Sequence, residues 1–382
     1  MHSQVFHELL PKPSHDELAR QNFVKSLKLH LATRIAPGNR TIYERRIKPQ
    51  FAAANGRPPQ DGREVGRLLQ QEPYYRLWSS LARTGQELMW DSIIDTVERQ
   101  QGVLNAKASM AGKPTRGSLT LDPAFVPPRY VTAVDIHCQP GGYCTETTAD
   151  DAVGGALFDR HGDIYGMGTW GPMCDAKGLR IIKVARERYP DFAPRRILEM
   201  GCSIGHSLPP YADAWPQAEV HGIDVGAPLL RYGHARTEMM GKAIHFSQQN
   251  AERTNFPEGH FDLIVSHVLL HETSGRAIRD ILAECFRLLA PGGLMVHAEL
   301  QMFRQMEPYD AFMLDWDTFN NNEPFWSGLR ALDPDALMQG AGFRKDAMFQ
   351  TIVSRRTQWS PVYNQGNDTS GRSDELIFGA RK

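Results

Sequence analysis

The sequence predicts an α/β fold in which a parallel sheet follows a mostly helical region. Arg196–Met200 is a short apolar run of the kind that is buried as a central parallel strand. The small-residue turn Gly201–Gly205 follows, and a helix should begin near Ser207, because two prolines after it are tolerated only in a first helical turn. A second strand, Glu219–Ile223, leads to Asp224. This βαβ unit is typical of a Rossmann-like nucleotide-binding domain.

Two acidic residues at the strand ends indicate the ligand. Asp224 lies 19 residues after Gly205, where such a unit places a carboxylate for ribose hydroxyls. The turn lacks the G-x-G-x-x-G pattern that seats a pyrophosphate, and Glu199 comes directly before it. A carboxylate there would repel a pyrophosphate but suits the amino group of an amino acid. The pair therefore fits S-adenosylmethionine better than NAD.

The segment Glu199–Gly205, E-M-G-C-S-I-G, resembles the [D/E]-x-G-x-G-x-G motif of class I S-adenosylmethionine-dependent methyltransferases, with Ser203 at the middle glycine. This resemblance implies a seven-stranded sheet of order 3-2-1-4-5-7-6 and covers about residues 172–382. It also implies a set of cofactor-binding residues on the turn and on neighbouring strand ends, which are Glu199, Gly201, Cys202, Ser203, Gly205, Asp224, Val225, Asn250, Ala251 and Ser266.

Further segments are similar to the same family. Gln248–Glu252 resembles its G-D-A-E stretch, in which the side chain at Asn250 would meet the adenine amino group. Strand four, Phe261–Ser266, and an L-x-P-G-G step before strand five, Leu294–Glu299, are two more matches. The remaining elements of this domain are predicted as helices over Asp175–Tyr189, Ala227–Met240, Ala277–Leu289 and Asp333–Gly342 and as strands over Ile244–Phe246, Phe349–Ser354 and Leu376–Gly379.

The first part of the chain is predicted to be a helical region over residues 1–128. A capping box at Ser14 begins the first helix, which we expect to stop at Pro37-Gly38. A second helix covers Thr41–Ala54, and a third stretch, Arg63–Gln101, should be divided at a proline or a glycine, Pro73 or Gly85.

A strand and loop segment is predicted over residues 129–171, with a strand at Tyr130–Ile136. Aromatic side chains among glycines in Tyr165–Gly171 favour equally a lid on the ligand or a loop anchored in a core. On the lid interpretation, Tyr165 and Trp170 contact the cofactor.

An aromatic insertion over residues 307–330 interrupts the family pattern. In this family such an insertion often covers the acceptor pocket, which is the interpretation we favour over core packing or a dimer contact. Its large side chains are Phe312, Trp316, Phe319, Phe325 and Trp326.

Imidazoles and carboxylates cluster at the predicted carboxyl ends of strands four and five. Three interpretations compete: a general base that removes a proton from the acceptor, a divalent ion held by His and Glu, and plain structural packing. We take the first as the working hypothesis and assign no metal ligand. The catalytic candidates are His267, His271, Glu272 and Glu299, and His297 lies in the same cluster.

Composition excludes several function classes. Lys and Arg number 43 against 44 Asp and Glu, a net charge of −1, so no strong global field draws the 382-residue chain to nucleic acid or to an anionic membrane. No apolar run reaches the length of a membrane span. Five scattered cysteines without C-x-x-C predict free thiols and a cytoplasmic location. A homodimer stays open, and a carrier-protein partner is disfavoured.

The expected activity is methyl transfer from S-adenosylmethionine to an O or N atom of a small, hydrophobic or aromatic metabolite, such as an intermediate of secondary metabolism. An alternative is an S-adenosylmethionine-binding protein that does not methylate, either a cyclase or a regulatory subunit. A remote alternative uses the G-x-S-x-G reading of the turn, with Ser203 as the nucleophile of an α/β-hydrolase.

Overall fold

A computed structural model of the protein describes residues 4–109, 113–354 and 374–382. Its centre is one eight-stranded sheet of order β1-β4-β3-β2-β5-β6-β8-β7. All neighbours are parallel except β8, which is antiparallel to both β6 and β7. The strands are β1 Ser118–Thr120, β2 Arg196–Met200, β3 Glu219–Asp224, β4 Ile244–Gln248, β5 Phe261–His267, β6 Leu289–Leu300, β7 Met348–Ser354 and β8 Asp374–Arg381.

Sixteen α-helices in the described ranges surround this sheet. They are α1 His15–His30, α2 Ala36–Ile42, α3 Lys48–Asn55, α4 Gly62–Leu69, α5 Pro73–Glu98, α6 Gln101–Ala108, α7 Arg129–Thr132, α8 Val153–Tyr165, α9 Ala176–Arg188, α10 Leu208–Ala214, α11 Ala227–Met239, α12 Gly275–Leu288, α13 Pro308–Leu314, α14 Trp316–Asn320, α15 Trp326–Arg330 and α16 Pro334–Gly340. None of them combines the length and the apolar character that crossing a bilayer requires.

The predicted strand order is confirmed, with one strand added at the edge. Strands β2 to β8 reproduce the 3-2-1-4-5-7-6 order, and β1 pairs in parallel with His245–Ser247 of β4. The predicted helical region over residues 1–128 did not include this strand, because three residues are too few to show a strand periodicity. Gly117 permits the pairing: a Cβ atom there would lie 1.9 Å from the carbonyl oxygen of Ile244.

The expected helix stop at Pro37-Gly38 is wrong. The chain stays helical from His15 to Asn55, with π-helical turns at Leu31–Ile35 and Tyr43–Ile47. Each π-turn directly precedes a helical segment that carries a proline in its first turn, where the missing N–H donor costs little. The later division of the helices falls at Pro73, which begins α5, and not at Gly85, which is buried inside it.

The strands predicted within residues 129–171 are also wrong. Tyr130 lies in the short helix α7, and no strand occurs between these residues, all of which the structure describes. The longest element of the segment is the helix α8, which buries Val153, Ala156, Leu157 and Ile164 at helical spacing. This apolar face packs between α5 and α11, so tertiary burial decided the conformation that local glycine and threonine content obscured.

The aromatic insertion packs mainly against the N-terminal helices. Tyr309 and Trp316 share an apolar cluster with Tyr43, Tyr75 and Trp78. This cluster ties the N-terminal helical region to the insertion, which follows the end of β6.

Candidate active site

A cavity of about 260 Å³ opens at the carboxyl ends of β2, β3 and β5. The predicted residues that line it are Tyr165, Trp170, Glu199, Gly201, Cys202, Ser203, Asp224, Val225, Asn250, Ala251, His267, His271 and Glu272. Ligands of open parallel sheets bind in this position, outside the strand ends.

Glu199 supplies a buried carboxyl group at one end of this cavity. Its residue is 3% exposed, and Oε2 accepts no hydrogen bond from the described part of the chain. Burial raises the pKa of its carboxyl well above the usual range, the positive charge of Lys177 opposes the rise, and Asp224 adds to it. A cation that enters here would gain a charge-assisted hydrogen bond that the protein itself does not supply.

Asp224 fixes the turn after β2. Its Oδ2 accepts a hydrogen bond from the Ser203 amide at 2.8 Å, and its Oδ1 accepts one from the Gly226 amide at 2.9 Å. Burial raises the pKa of this carboxyl, and the backbone hydrogen bonds oppose the rise. Ser203 has φ +51°, a left-handed conformation that glycine adopts without strain. The turn therefore keeps its tight geometry with a serine at this position.

Three predicted site residues lie behind the cavity wall. Gly205 has φ +73°, and a Cβ atom there would meet the Phe246 ring at 2.9 Å, so this glycine serves packing. Ser266 is fully buried, and its hydroxyl lies 2.6 Å from Nδ1 of His297. Glu299 is also fully buried and reaches the cavity only through its partner His271.

The Ser203 hydroxyl gives no support to the hydrolase alternative. Its Oγ is buried and forms no hydrogen bond with any described residue, whereas an activated serine needs a base within hydrogen-bond reach. The positive φ of Ser203 is explained by the turn itself.

His267 faces the Glu199 end of the cavity. Its Nε2 lies 2.6 Å from the Tyr211 hydroxyl and 3.8 Å from Oε1 of Glu199, while Nδ1 is buried without a hydrogen bond from the described residues. Burial lowers the pKa of this imidazole to about 3. His267 is therefore a neutral group that is already engaged by a tyrosine.

His271 lies at the other end, in the turn that follows β5. Its Nδ1 is 2.6 Å from Oε2 of Glu299, and its ring packs edge-on against Trp326 at 4.7 Å. Burial opposes the charged imidazole, but Glu299 and Glu272 outweigh it and raise the pKa of His271 to about 9. The second nitrogen, Nε2, lies 3.6 Å from Glu272 and is directed away from Glu299.

Two further residues join this end of the site and were not found from the sequence. His137 comes from the short 3₁₀ turn Ile136–Cys138, and Glu323 comes from the loop between α14 and α15. His137 bridges Glu272 and Glu323 with both ring nitrogens at 3.0 Å. Burial opposes its charged form, but Glu323 and Glu272 outweigh it and hold the pKa of His137 well above its usual value. No local motif marks either residue, because only the tertiary fold places them together.

Aromatic side chains form the wall upstream of β2. Tyr165 and Trp170 have ring centroids 5.5 Å apart, and Lys177 places its ammonium 4.8 Å from the Trp170 ring centroid. Both rings line the cavity, which is what the lid interpretation predicts. His161 also packs against each of them, which is what a loop anchored in a core predicts. The two interpretations are thus compatible in this fold.

Comparisons with known proteins agree with this geometry. Residues 197–293 match the family model described as a methyltransferase domain. A trans-aconitate 2-methyltransferase of Rhodopseudomonas palustris (strain BisB5) is 40% identical over 194 residues, which are 50% of this chain and 70% of that protein. A demethylmenaquinone methyltransferase of Thermus thermophilus is 30% identical over 151 residues, 39% of this chain and 64% of that protein, so the chain spans less than two thirds of that relative.

Among solved structures, a phosphoethanolamine N-methyltransferase of Haemonchus contortus, in complex with phosphomonomethylethanolamine and S-adenosylhomocysteine, is 14% identical with a TM-score of 0.39. The structural match covers 54% of this chain and 52% of that chain, and a likeness at this level does not bear on function. The sequence match to the Rhodopseudomonas relative, at 40% identity over 70% of that protein, is high enough to show family membership. The chain belongs to the class I S-adenosylmethionine-dependent methyltransferases.

Proposed function

We propose that the protein transfers the methyl group of S-adenosylmethionine to an O or N atom of a small metabolite. The observation that carries this proposal is that one cavity joins two chemically different ends. Glu199 and Asp224 mark the end suited to a sulfonium nucleoside, and His271 and Glu272 mark the end suited to a proton-bearing acceptor. In-line transfer needs donor and acceptor in contact, and a shared cavity permits that contact.

At the donor end each polar group has a role in the proposal. Glu199 binds the amino group of the methionine part, because its Oε2 is buried without a hydrogen bond from the described residues. Asp224 binds the ribose hydroxyls with the lone pairs that its two backbone bonds leave available. Asn250 faces the adenine, and Tyr165 and Trp170 cover the bound donor from above.

At the acceptor end we assign the general base to His271 rather than to His267. Glu299 holds Nδ1 of His271 at 2.6 Å, which leaves Nε2 to accept a proton, whereas Nε2 of His267 is engaged by Tyr211. Only the neutral imidazole can act as the base. While no ligand is bound, the surrounding carboxylates favour the protonated imidazole instead. A general base of this kind contributes about 10²–10⁴ in rate.

The acceptor is proposed to be neutral or cationic and partly apolar, as a hydrophobic or aromatic intermediate of secondary metabolism would be. Trp326, Ile281 and Leu300 line the acceptor end together with acidic side chains, Glu272 and Asp317. Those carboxylates repel a polycarboxylate, so the substrate named for the Rhodopseudomonas relative fits this cavity poorly.

The test is to measure binding and turnover separately. Calorimetry with S-adenosylmethionine should show one site per chain, and Asp224→Ala should weaken it. Incubation with the donor and a panel of hydroxylated and aminated aromatic compounds should then yield S-adenosylhomocysteine with at least one of them. Binding without product across the panel would favour the non-methylating alternative, a cyclase or a regulatory subunit. Absence of binding at hundreds of micromolar would remove both.

A further inference from the structure

We propose that His137, Glu272 and Glu323 form a binding site for a divalent transition-metal ion at the acceptor end of the cavity. One ligand atom from each residue can be chosen so that all of them lie within 4.8 Å of one another. Nε2 of His137 lies 3.0 Å from Oε1 of Glu272, and the opposite ring nitrogen, Nδ1, lies 3.0 Å from Oε1 of Glu323. An imidazole binds a given ion through one nitrogen, so one of these contacts joins two ligand atoms and the other orients the ring. Ligand atoms bonded to one ion at about 2.1 Å lie roughly 3–4 Å apart, a separation that the span of the three residues allows.

Three remote parts of the chain supply these ligands. His137 precedes α8, Glu272 follows β5, and Glu323 lies between α14 and α15. His137 also has φ +57°, a left-handed conformation that is costly for a residue with a Cβ atom. The surrounding structure therefore holds this imidazole against a backbone preference, as is common where a side chain must be aimed at a ligand.

The burial of Glu323 is the second observation. Its side chain is fully buried, Asn321 donates a hydrogen bond to Oε1 at 2.6 Å, and Oε2 accepts no hydrogen bond from the described residues. Leaving a buried carboxylate oxygen without a donor is costly. A bound cation would satisfy that oxygen.

His271 has the arrangement expected of a residue beside a metal. Its Nε2 lies 3.6 Å from Oε1 of Glu272 and 3.7 Å from Oε2 of Glu323, beyond hydrogen-bond distance. Its Nδ1 is held by Glu299 at 2.6 Å. Metal-binding histidines commonly have their other nitrogen bonded to a carboxylate in this way. In the proposal His271 is not a ligand and remains the base next to the ion.

The local charge also favours a cation. Glu272, Glu299 and Glu323 surround the two imidazoles, and Asp317 lies close by. Arg330 is the buried cation beside them, stacked on Trp326 with 3.8 Å between guanidinium and ring centroid. A mixed set of imidazole and carboxylate donors suits Mn²⁺, Fe²⁺ or Zn²⁺ better than Ca²⁺ or Mg²⁺. The competing occupant is a proton on His137, which a metal ion would displace.

The role of the ion rests on the proposed function, although its binding does not. His137 and Glu272 line the cavity while Glu323 lies behind them, so coordination positions on the cavity side stay open to an acceptor oxygen. An ion there would lower the pKa of a bound hydroxyl, and its charge would offset the carboxylates that surround His271.

The experiment uses the full chain, dialysed against a chelator and then titrated with Mn²⁺ and with Zn²⁺ by calorimetry. We expect one ion per chain and a loss of about 10- to 100-fold in affinity in His137→Asn and in Glu323→Gln. Two surface variants of matched chemistry, His15→Asn and Glu187→Gln, should bind as wild type does, because both residues are exposed and remote.

The proposal is overturned if wild type binds neither ion at about 1 mM. It is overturned equally if binding is unchanged in both ligand variants while they remain folded. S-adenosylmethionine affinity, measured on the same samples, reports whether each variant is folded. If a variant fails that check, the test is whether wild type binds Mn²⁺ in a titration monitored by electron paramagnetic resonance. Aqueous and protein-bound Mn²⁺ give different signals in this measurement. Metal binding without product formation would count against the proposed function alone.

Discussion

Nδ1 of His271 lies 2.6 Å from Oε2 of Glu299, and this contact joins the turn after β5 to the adjacent strand β6. Glu299 also accepts a hydrogen bond from the Leu270 amide at 2.8 Å, so one carboxylate fixes both the His271 ring and the backbone of the preceding residue. The imidazole is oriented from behind, and its other nitrogen is left toward the cavity.

This pair predicts a loss of turnover without a loss of donor binding. His271→Asn should lower kcat by about 10²–10⁴, because it removes the proposed base. Glu299→Gln should lower kcat by about 10- to 100-fold, because the ring loses its orienting carboxylate. S-adenosylhomocysteine formation measures turnover, and calorimetry measures the donor. Equal losses of donor affinity and turnover would show that the two residues serve folding only.

His267 provides the contrasting prediction. Because its Nε2 is engaged by Tyr211 and it lies near Glu199, His267→Asn should change the donor affinity more than kcat. The measurement is kcat at saturating donor, compared with the dissociation constant of S-adenosylmethionine. A fall in kcat as large as that of His271→Asn would make His267 the base.

Donor binding should depend on pH through Glu199. Burial raises the pKa of this carboxyl in the ligand-free protein, and only its ionised form pairs with the ammonium group. Affinity should therefore increase as pH rises toward that raised pKa, by up to about tenfold per pH unit. Calorimetry between about pH 5.5 and 7.5 tests this dependence. Glu199→Gln should bind more weakly than wild type by a margin that grows with pH, and it should remove most of the slope; a slope that persists would assign it to another group.

Ser203→Gly should stabilise the turn slightly. The left-handed φ of Ser203 costs roughly 1–2 kcal/mol, and glycine removes this strain. Because glycine also makes the unfolded chain more flexible, part of the benefit is lost, and the expected net stabilisation is at most about 1 kcal/mol. Ser203→Ala keeps the strain and is the matched control. Denaturant unfolding gives the stability, and retained methyl transfer in Ser203→Ala would remove the serine-nucleophile alternative.

Asp159 should be a major determinant of stability. It is fully buried, its Oδ2 lies 2.9 Å from His7 and 2.9 Å from the Tyr232 hydroxyl, and Arg236 is 3.4 Å away. Burial opposes its charge, but Arg236 and the histidines outweigh burial and hold its pKa well below the usual range. Asp159→Asn leaves a buried guanidinium without its counter-charge and should cost about 3–5 kcal/mol in the free energy of unfolding.

The exposed pair Arg20–Asp95 supplies the control for that measurement. Asp95→Asn should change the free energy of unfolding by less than about 1 kcal/mol, because water screens an exposed pair. If Asp159→Asn were equally mild, the buried cluster would contribute little and the N-terminal segment at His7 would be held by apolar packing instead.

Local sequence was sufficient for the central sheet. Arg196–Met200 and Phe261–His267 are apolar runs bounded by turns, and each became a buried parallel strand because such a run has no alternative that buries it as well. The positions of Glu199 and Asp224 followed directly, since each lies within the last two residues of its strand.

Elements whose conformation depends on partners were not predicted. The strand Ser118–Thr120 exists because β4 offers it an edge, and α8 is a helix because α5 and α11 bury one of its faces. Pro37 did not end the first helix, because a π-turn precedes it and removes the need for the missing donor.

The sequence by itself determined the sheet, the tight turn and the pair of acids at its rim, because each is specified by residues that are neighbours in the chain. Only the tertiary structure decided that His137 and Glu323 meet Glu272, and that Glu299 acts behind His271 rather than on the cavity. His137 precedes both Glu272 and Glu323 by more than a hundred residues. Packing of whole helices brings these side chains together, and no local sequence spacing encodes such a contact.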